Sequence, residues 1–249
     1  APPEPAEPVV APPPAPKPEP VQPVAIPVVE PPPPPPPLPE TYTPAMSVRE
    51  AQDFARDVLG VKARYGKNTP LHRGMANLAN EELLSLKRAG LGMPEGGIQI
   101  ISKMDEGGGA PARVNASYVP NKHKVVLNDL AAYWQDPADA ARRGRDRNWF
   151  SNQDPHQVIS HEMGHAAHHA QHRVTFMNLH RDGEPKELAR VALEDIKVGV
   201  LHDVSRYALT NPIEFVAETF NAMRAGRTLS QPILDLYKKF KGPTVPVKP

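Results

Sequence analysis

Apolar positions begin to recur at helical spacing just after residue 46. Ala51, Phe54, Ala55 and Val58 make one stripe, Ser47 and Glu50 form a capping-box pair ahead of it, and Gly60 stops it. A second helix is expected from about Leu71 to Arg88, closed by Gly90. The pattern then changes. Gly97 precedes Ile98, Gln99, Ile100 and Ile101, a short β-type run; Asp105 to Gly109 reads as a flexible turn; Val114–Val119 and Lys124–Leu127 read as strands joined by Pro120, Asn121 and Lys122. Asp154 suits an N-cap, Pro155 the first helical position and Gln157 the reciprocal cap, so a helix is expected from there to about His172, burying Ile159, Met163, Ala166 and Ala170. Asn211 and Pro212 start another, with Ile213, Val216, Ala217, Phe220 and Met223 as its stripe. Helices, a small sheet, then more helices make an α+β layout.

Composition divides the chain. Of its 33 prolines in 249 residues, 21 fall in residues 1–45, seven of them consecutive from Pro31 to Pro37. That segment has five acids and one base, hence −4, leaving +5 for the rest of a chain whose net charge is +1. Such a segment builds neither helix nor sheet and is expected to be a disordered, partly polyproline-II linker. A spacer is favoured over a ligand for a proline-binding module, because no basic residue flanks the run. The folding unit is expected at 46–240, with 241–249 a flexible tail. No cysteine is present, which excludes disulfide scaffolds, thiol nucleophiles and Cys-ligated metals. No run is long enough for a membrane span. The chain starts at Ala1, so a processed product or a piece of something longer is expected. Arg142, Arg143, Arg145 and Arg147 are interrupted by Gly144 and Asp146 and lack interleaved aromatics, so a solvated loop is favoured over a nucleic-acid patch.

The chemistry concentrates in His161-Glu162-Met163-Gly164-His165. Residues four apart on a helix share a face, so His161 and His165 can offer two imidazoles to one metal ion. Glu162 is turned by about 100° from His161 and points beside the metal, where a base for a metal-activated water belongs. His168 and His172 fall on the same face. A metzincin needs Gly at 168 and His at 171; His168 and Gln171 stand there, so that family is disfavoured. For His168, His169 and His172 a partly exposed polar continuation of the helix is the favoured reading. Downstream, Glu214 and Glu218 are four apart among Phe215, Val216, Ala217 and Phe220, where acids are costly unless paired or metal-bound. Glu214 is therefore favoured as a ligand over a mere cap.

His161–His165, followed by Tyr207-Ala208-Leu209-Thr210-Asn211-Pro212-Ile213-Glu214-Phe215-Val216-Ala217-Glu218-Thr219-Phe220, resembles the gluzincin metallopeptidases, most closely their lethal-factor-like branch, whose domains also occur in phage head-morphogenesis proteins. The resemblance covers roughly residues 115–225. It implies a zincin-like fold, helices around a small, mostly antiparallel sheet, and Zn²⁺ held by His161, His165 and Glu214. It further implies Glu162 as general base, Tyr207 as transition-state donor and Glu218 as the acid that orients a ligating histidine. One of the strands at 114–119 and 124–127 would be the edge that pairs with extended substrate.

The expectation is a zinc-dependent endopeptidase that hydrolyses peptide bonds through a metal-activated water. Its partners would be a protein or peptide substrate and a larger parent protein or virion, with no nucleic acid and no membrane; it would be soluble, secreted or virion-associated. The alternative is a non-catalytic, zinc-stabilised structural module of a larger protein. An intact Glu162 argues against it, because a structural zinc site normally has four protein ligands and no use for a base.

Overall fold

The computed structural model describes residues 36–101 and 114–245. The turn expected at 105–109 and most of the proline-rich linker lie outside them. Two units divide the chain, Ala1–Pro37 and Leu38–Pro249. The folded unit therefore begins before Met46. Leu38, Tyr42 and Ala45 pack against the core, the Tyr42 hydroxyl donates to Asn77 Oδ1 at 2.7 Å, and its ring stands edge-on to Phe54. An aromatic ring with a polar tip anchors itself even in a proline-rich context. The expected tail is likewise docked as far as it is described: the Tyr237 hydroxyl donates to the Pro243 carbonyl, and Val245 packs on the core.

Helix α1 (Val48–Asp57) starts as its sequence dictates. Ser47 Oγ accepts the Glu50 N–H, while the Glu50 carboxylate reaches back to the Met46 N–H. Helix α2 (Pro70–Arg88) begins at the Thr69 cap and ends before Gly90, whose φ of 84° is left-handed. The sheet holds β1 (Ala63–Arg64), β2 (Gly97–Ile101), β3 (Ala116–Val119) and β4 (Lys124–Asn128) in the order β1-β2-β4-β3. β3 and β4 are the antiparallel hairpin read from the sequence, but β1–β2 and β2–β4 are parallel. The sheet is thus mixed, with only one of its three pairings antiparallel. The reason lies in connectivity. The segment with α2 between β1 and β2 lets the chain return in the same direction, and β4 runs parallel to β2 because β3, which precedes it, runs the opposite way. Gly97, with φ 80°, is required at the β2 start: a Cβ there would collide with the Lys62 carbonyl.

A second correction concerns the arginine-rich stretch. It is a helix, α3 (Pro137–Asp146), capped by Asp136 and laced by Arg142 and Arg143 pairing with Asp139, and by Arg142 with Asp146. The long helix that follows, α4 (Gln157–Gln171), starts later than expected. The Asp154 carboxylate takes the His156 N–H and its Nδ1 (2.9 and 2.7 Å), so it closes a turn ahead of the helix instead of capping it. Every residue of α4 from Gln157 to His169 is buried, although Ala170 is exposed. Short helices α5 (Arg173–His180), α6 (Glu184–Asp195) and α7 (Lys197–Asp203) lead to α8 (Pro212–Arg224) and α9 (Gln231–Lys239).

The packing of α4 on α8 sets up the site. A Cβ on Gly164 would lie 3.0 Å from the Phe220 ring and 3.4 Å from the Ala217 Cα. Glycine at 164 and alanine at 217 therefore permit the close approach that brings the acids of α8 against the histidines of α4.

Candidate metal centre

Three side chains converge from these two helices. Glu214 Oε2 lies 2.9 Å from His161 Nε2 and 3.3 Å from His165 Nε2, and the two ring nitrogens are 3.1 Å apart. The donor atoms of this trio all fall within 4.8 Å of one another, so His161, His165 and Glu214 form a group that can hold a metal ion. Asn211 contributes from below: its Oδ1 accepts the Ile213 and Glu214 N–H groups and so fixes the first turn that carries Glu214.

Glu218 does not join the trio. Its Oε1 lies 2.7 Å from His161 Nδ1, while Oε2 accepts the Ser151 N–H at 2.8 Å and the Ser205 hydroxyl at 2.9 Å. A buried carboxylate with three donors is satisfied, and it fixes which His161 nitrogen faces the trio. Ser151 and Ser205 escaped the sequence reading, because neither lies at a helical spacing from Glu218; they meet it only through the tertiary fold.

Electrostatics follow the geometry. Burial alone would depress the His161 imidazole, but the hydrogen bonds and charges of Glu214 and Glu218 outweigh it and lift the pKa well above the ordinary value. Burial works to raise Glu214, yet His165 and His161 overcome it and hold the carboxyl well below the usual range. Glu162 is raised, chiefly by burial, against the opposing pull of His161, His165 and the Tyr118 backbone. Tyr207 sits on the one-turn 3₁₀ segment Tyr207–Leu209, its ring centroid 5.6 Å from that of His161. Burial first, then the charge of Glu214, pushes its hydroxyl far up, so it stays a proton donor.

No known protein family, curated protein or solved structure matches the chain.

Of the three remaining histidines, His168 and His169 depart from expectation, whereas His172 is half-buried, as expected. His168 is fully buried and His169 is 3% exposed, so neither is a solvated continuation. His168 Nε2 lies 3.1 Å from the Phe240 carbonyl, and burial drives its pKa down to about 3. The His169 ring stacks between His123 and Phe176, with Nδ1 2.8 Å from the Tyr118 hydroxyl. His172 caps the helix C-terminus. The docked α9 end and β3 cover these rings, a long-range effect without a local signature.

β3 is the outer strand of the sheet among the described residues and packs on α4, whereas β4 is internal. Tyr118 ties this strand to His169 and lines the same cleft as Glu162. Among the described residues no helix is long and apolar enough to cross a membrane.

Proposed function

We propose that the chain is a zinc-dependent endopeptidase of the gluzincin type. The observation that carries the proposal is the convergence of His161, His165 and Glu214 beside Glu162, with Tyr207 at its rim.

The donor set fits zinc. Ligands about 2.0–2.1 Å from a tetrahedral ion stand roughly 3.3 Å from one another; the 2.9, 3.1 and 3.3 Å separations lie close to that edge length. Two imidazoles and one carboxylate are a typical catalytic donor set, and a ligating histidine backed by a carboxylate is its usual support. Three protein donors among the described residues favour a catalytic over a structural site, which brings four.

When bound, zinc supplies Lewis acidity toward water and the scissile carbonyl. The chain's own residues do the rest. The Glu162 carboxylate accepts the proton of the attacking water and delivers it to the departing amine nitrogen. Its raised pKa suits both halves of that transfer. Tyr207 keeps its proton and donates a hydrogen bond where charge develops on the carbonyl oxygen. Glu218 holds His161 in one tautomer. The outer strand β3 offers backbone groups beside Glu162 to an extended peptide.

The test is Glu162→Gln in a peptide-library or casein assay, with metal content measured in parallel. The proposal expects cleavage to collapse while zinc stays bound. A wild type that carries zinc and cuts nothing would hand the chain to the alternative, a zinc-stabilised structural module of a larger protein.

A further inference from the structure

The cleft around Glu162 has two compartments. Glu162 and Tyr207 border both, as do Val114 and Ala116. One compartment, about 260 Å³, runs past His161 toward Trp149, Phe150 and Val158. Trp149, Phe150 and Val158 supply its apolar lining, beside the polar Asn115, Gln157 and Glu218, and Trp149 is 44% exposed. The other, about 320 Å³, runs past His165 and Glu214 toward Phe176, Leu179, His180 and Lys186. Lys186 is the one lysine or arginine among the described residues lining either compartment. Its side chain is 17% exposed, and among the described residues its ammonium is tied only to Asp182, whose side chain is 97% exposed. A partner so hydrated holds the ammonium weakly, and a carboxylate arriving inside the cleft competes for it from a less hydrated position.

We infer that the cleft selects peptides carrying an acidic side chain on one side of the scissile bond, seated against Lys186, and an aromatic or aliphatic one on the other, seated against Trp149, Phe150 and Val158. This rests on the peptidase reading above. The inner end is taken up by the proposed metal ligands and Glu162, so Lys186 is the one lysine or arginine among the described residues of this compartment left to receive a substrate carboxylate. A basic residue in this compartment would meet Lys186 and His180 and lose the attraction. In the opposite compartment an acidic side chain would meet Glu162 and Glu218 with no lysine or arginine among the described lining residues, whereas an apolar one gains by burial against Trp149, Phe150 and Val158.

The experiment uses the full, metal-loaded chain in two arms. Wild type, Lys186→Gln and Lys186→Glu are profiled against a random peptide library for cleavage. The same Lys186 changes are then made on a Glu162→Gln background, and binding of uncut peptides is measured by fluorescence anisotropy. The expected result is enrichment of Asp or Glu at one position on one side of the bond and of Phe, Leu or Trp on the other. Lys186→Glu should shift the ratio of acidic to basic preference by roughly tenfold or more toward Lys and Arg, with Lys186→Gln between. Zinc content should not change. Cleavage without acidic preference, or a preference indifferent to Lys186, overturns the inference and leaves the peptidase reading intact. No cleavage, but acid-selective binding that Lys186→Glu reverses, overturns the peptidase reading and retains the cleft's selectivity. Neither cleavage nor selective binding overturns both.

Discussion

Helix α4 presents two pairs of buried histidines one turn apart, and they have opposite chemistry. His161 and His165 face Glu214, and His161 also leans on Glu218. His168 faces a backbone carbonyl, and His169 faces a tyrosine hydroxyl and two ring stacks. Burial is nearly equal in the two pairs. What differs is the nearest anion. Carboxylates from α8 lift His161, whereas His168, lacking one, is driven to about 3 and stays neutral. Histidine spacing alone does not assemble a group that can hold a metal; the carboxylate of the helix packed opposite completes it.

The sharpest way to break the first pair's special status is to remove the base between its members. Glu162→Gln should lower kcat/KM by about 10²- to 10⁴-fold with zinc content unchanged, read by steady-state kinetics and metal analysis. Tyr207→Phe should follow with a fall in kcat of roughly 10²-fold and little change in KM, because the hydroxyl acts mainly in the transition state. Glu218→Gln weakens the support of His161 and should cost about 10- to 100-fold in metal affinity or activity, measured by chelator competition.

The sequence carried much of this contrast. The caps at Ser47 and Asn211, the stripes of α1 and α8, the stop of α2 at Gly90, the β3–β4 hairpin and the trio itself all rest on local periodicity and side-chain chemistry. What it hid is long-range. The parallel pairing of β2 with β4 arises because β3, the strand between them in sequence, runs the opposite way and takes the outer position in the sheet, which no local pattern announces. A two-residue strand such as β1 has no period to read. The arginine-rich stretch looks like a loop until Asp136, Asp139 and Asp146 are seen to cap and pair along α3. His168 and His169 look solvated because nothing nearby in sequence announces that Phe240 and Tyr118 will cover them.

The smallest expected effect belongs to the second pair. A histidine whose folded pKa is about 3, against 6.5 unfolded, binds its proton in the unfolded state first as pH falls. Stability from His168 is therefore full above pH 6.5 and drains away between there and about pH 3. At pH 4.5 the loss is on the order of 2 kcal/mol. His168→Gln, which keeps a donor for the Phe240 carbonyl, should flatten the acid limb of urea-midpoint curves by about one proton's worth. An unchanged slope would mean that His168 does not hold a depressed pKa.

The measurement that bears most directly on the account is zinc stoichiometry by inductively coupled plasma mass spectrometry on wild type, Glu214→Ala and His168→Gln, each confirmed as folded. The account predicts one zinc per chain in wild type and in His168→Gln, and a loss of zinc in Glu214→Ala. Full zinc in Glu214→Ala, or its loss in His168→Gln, would contradict the claim that the carboxylate opposite α4 selects the metal-binding pair.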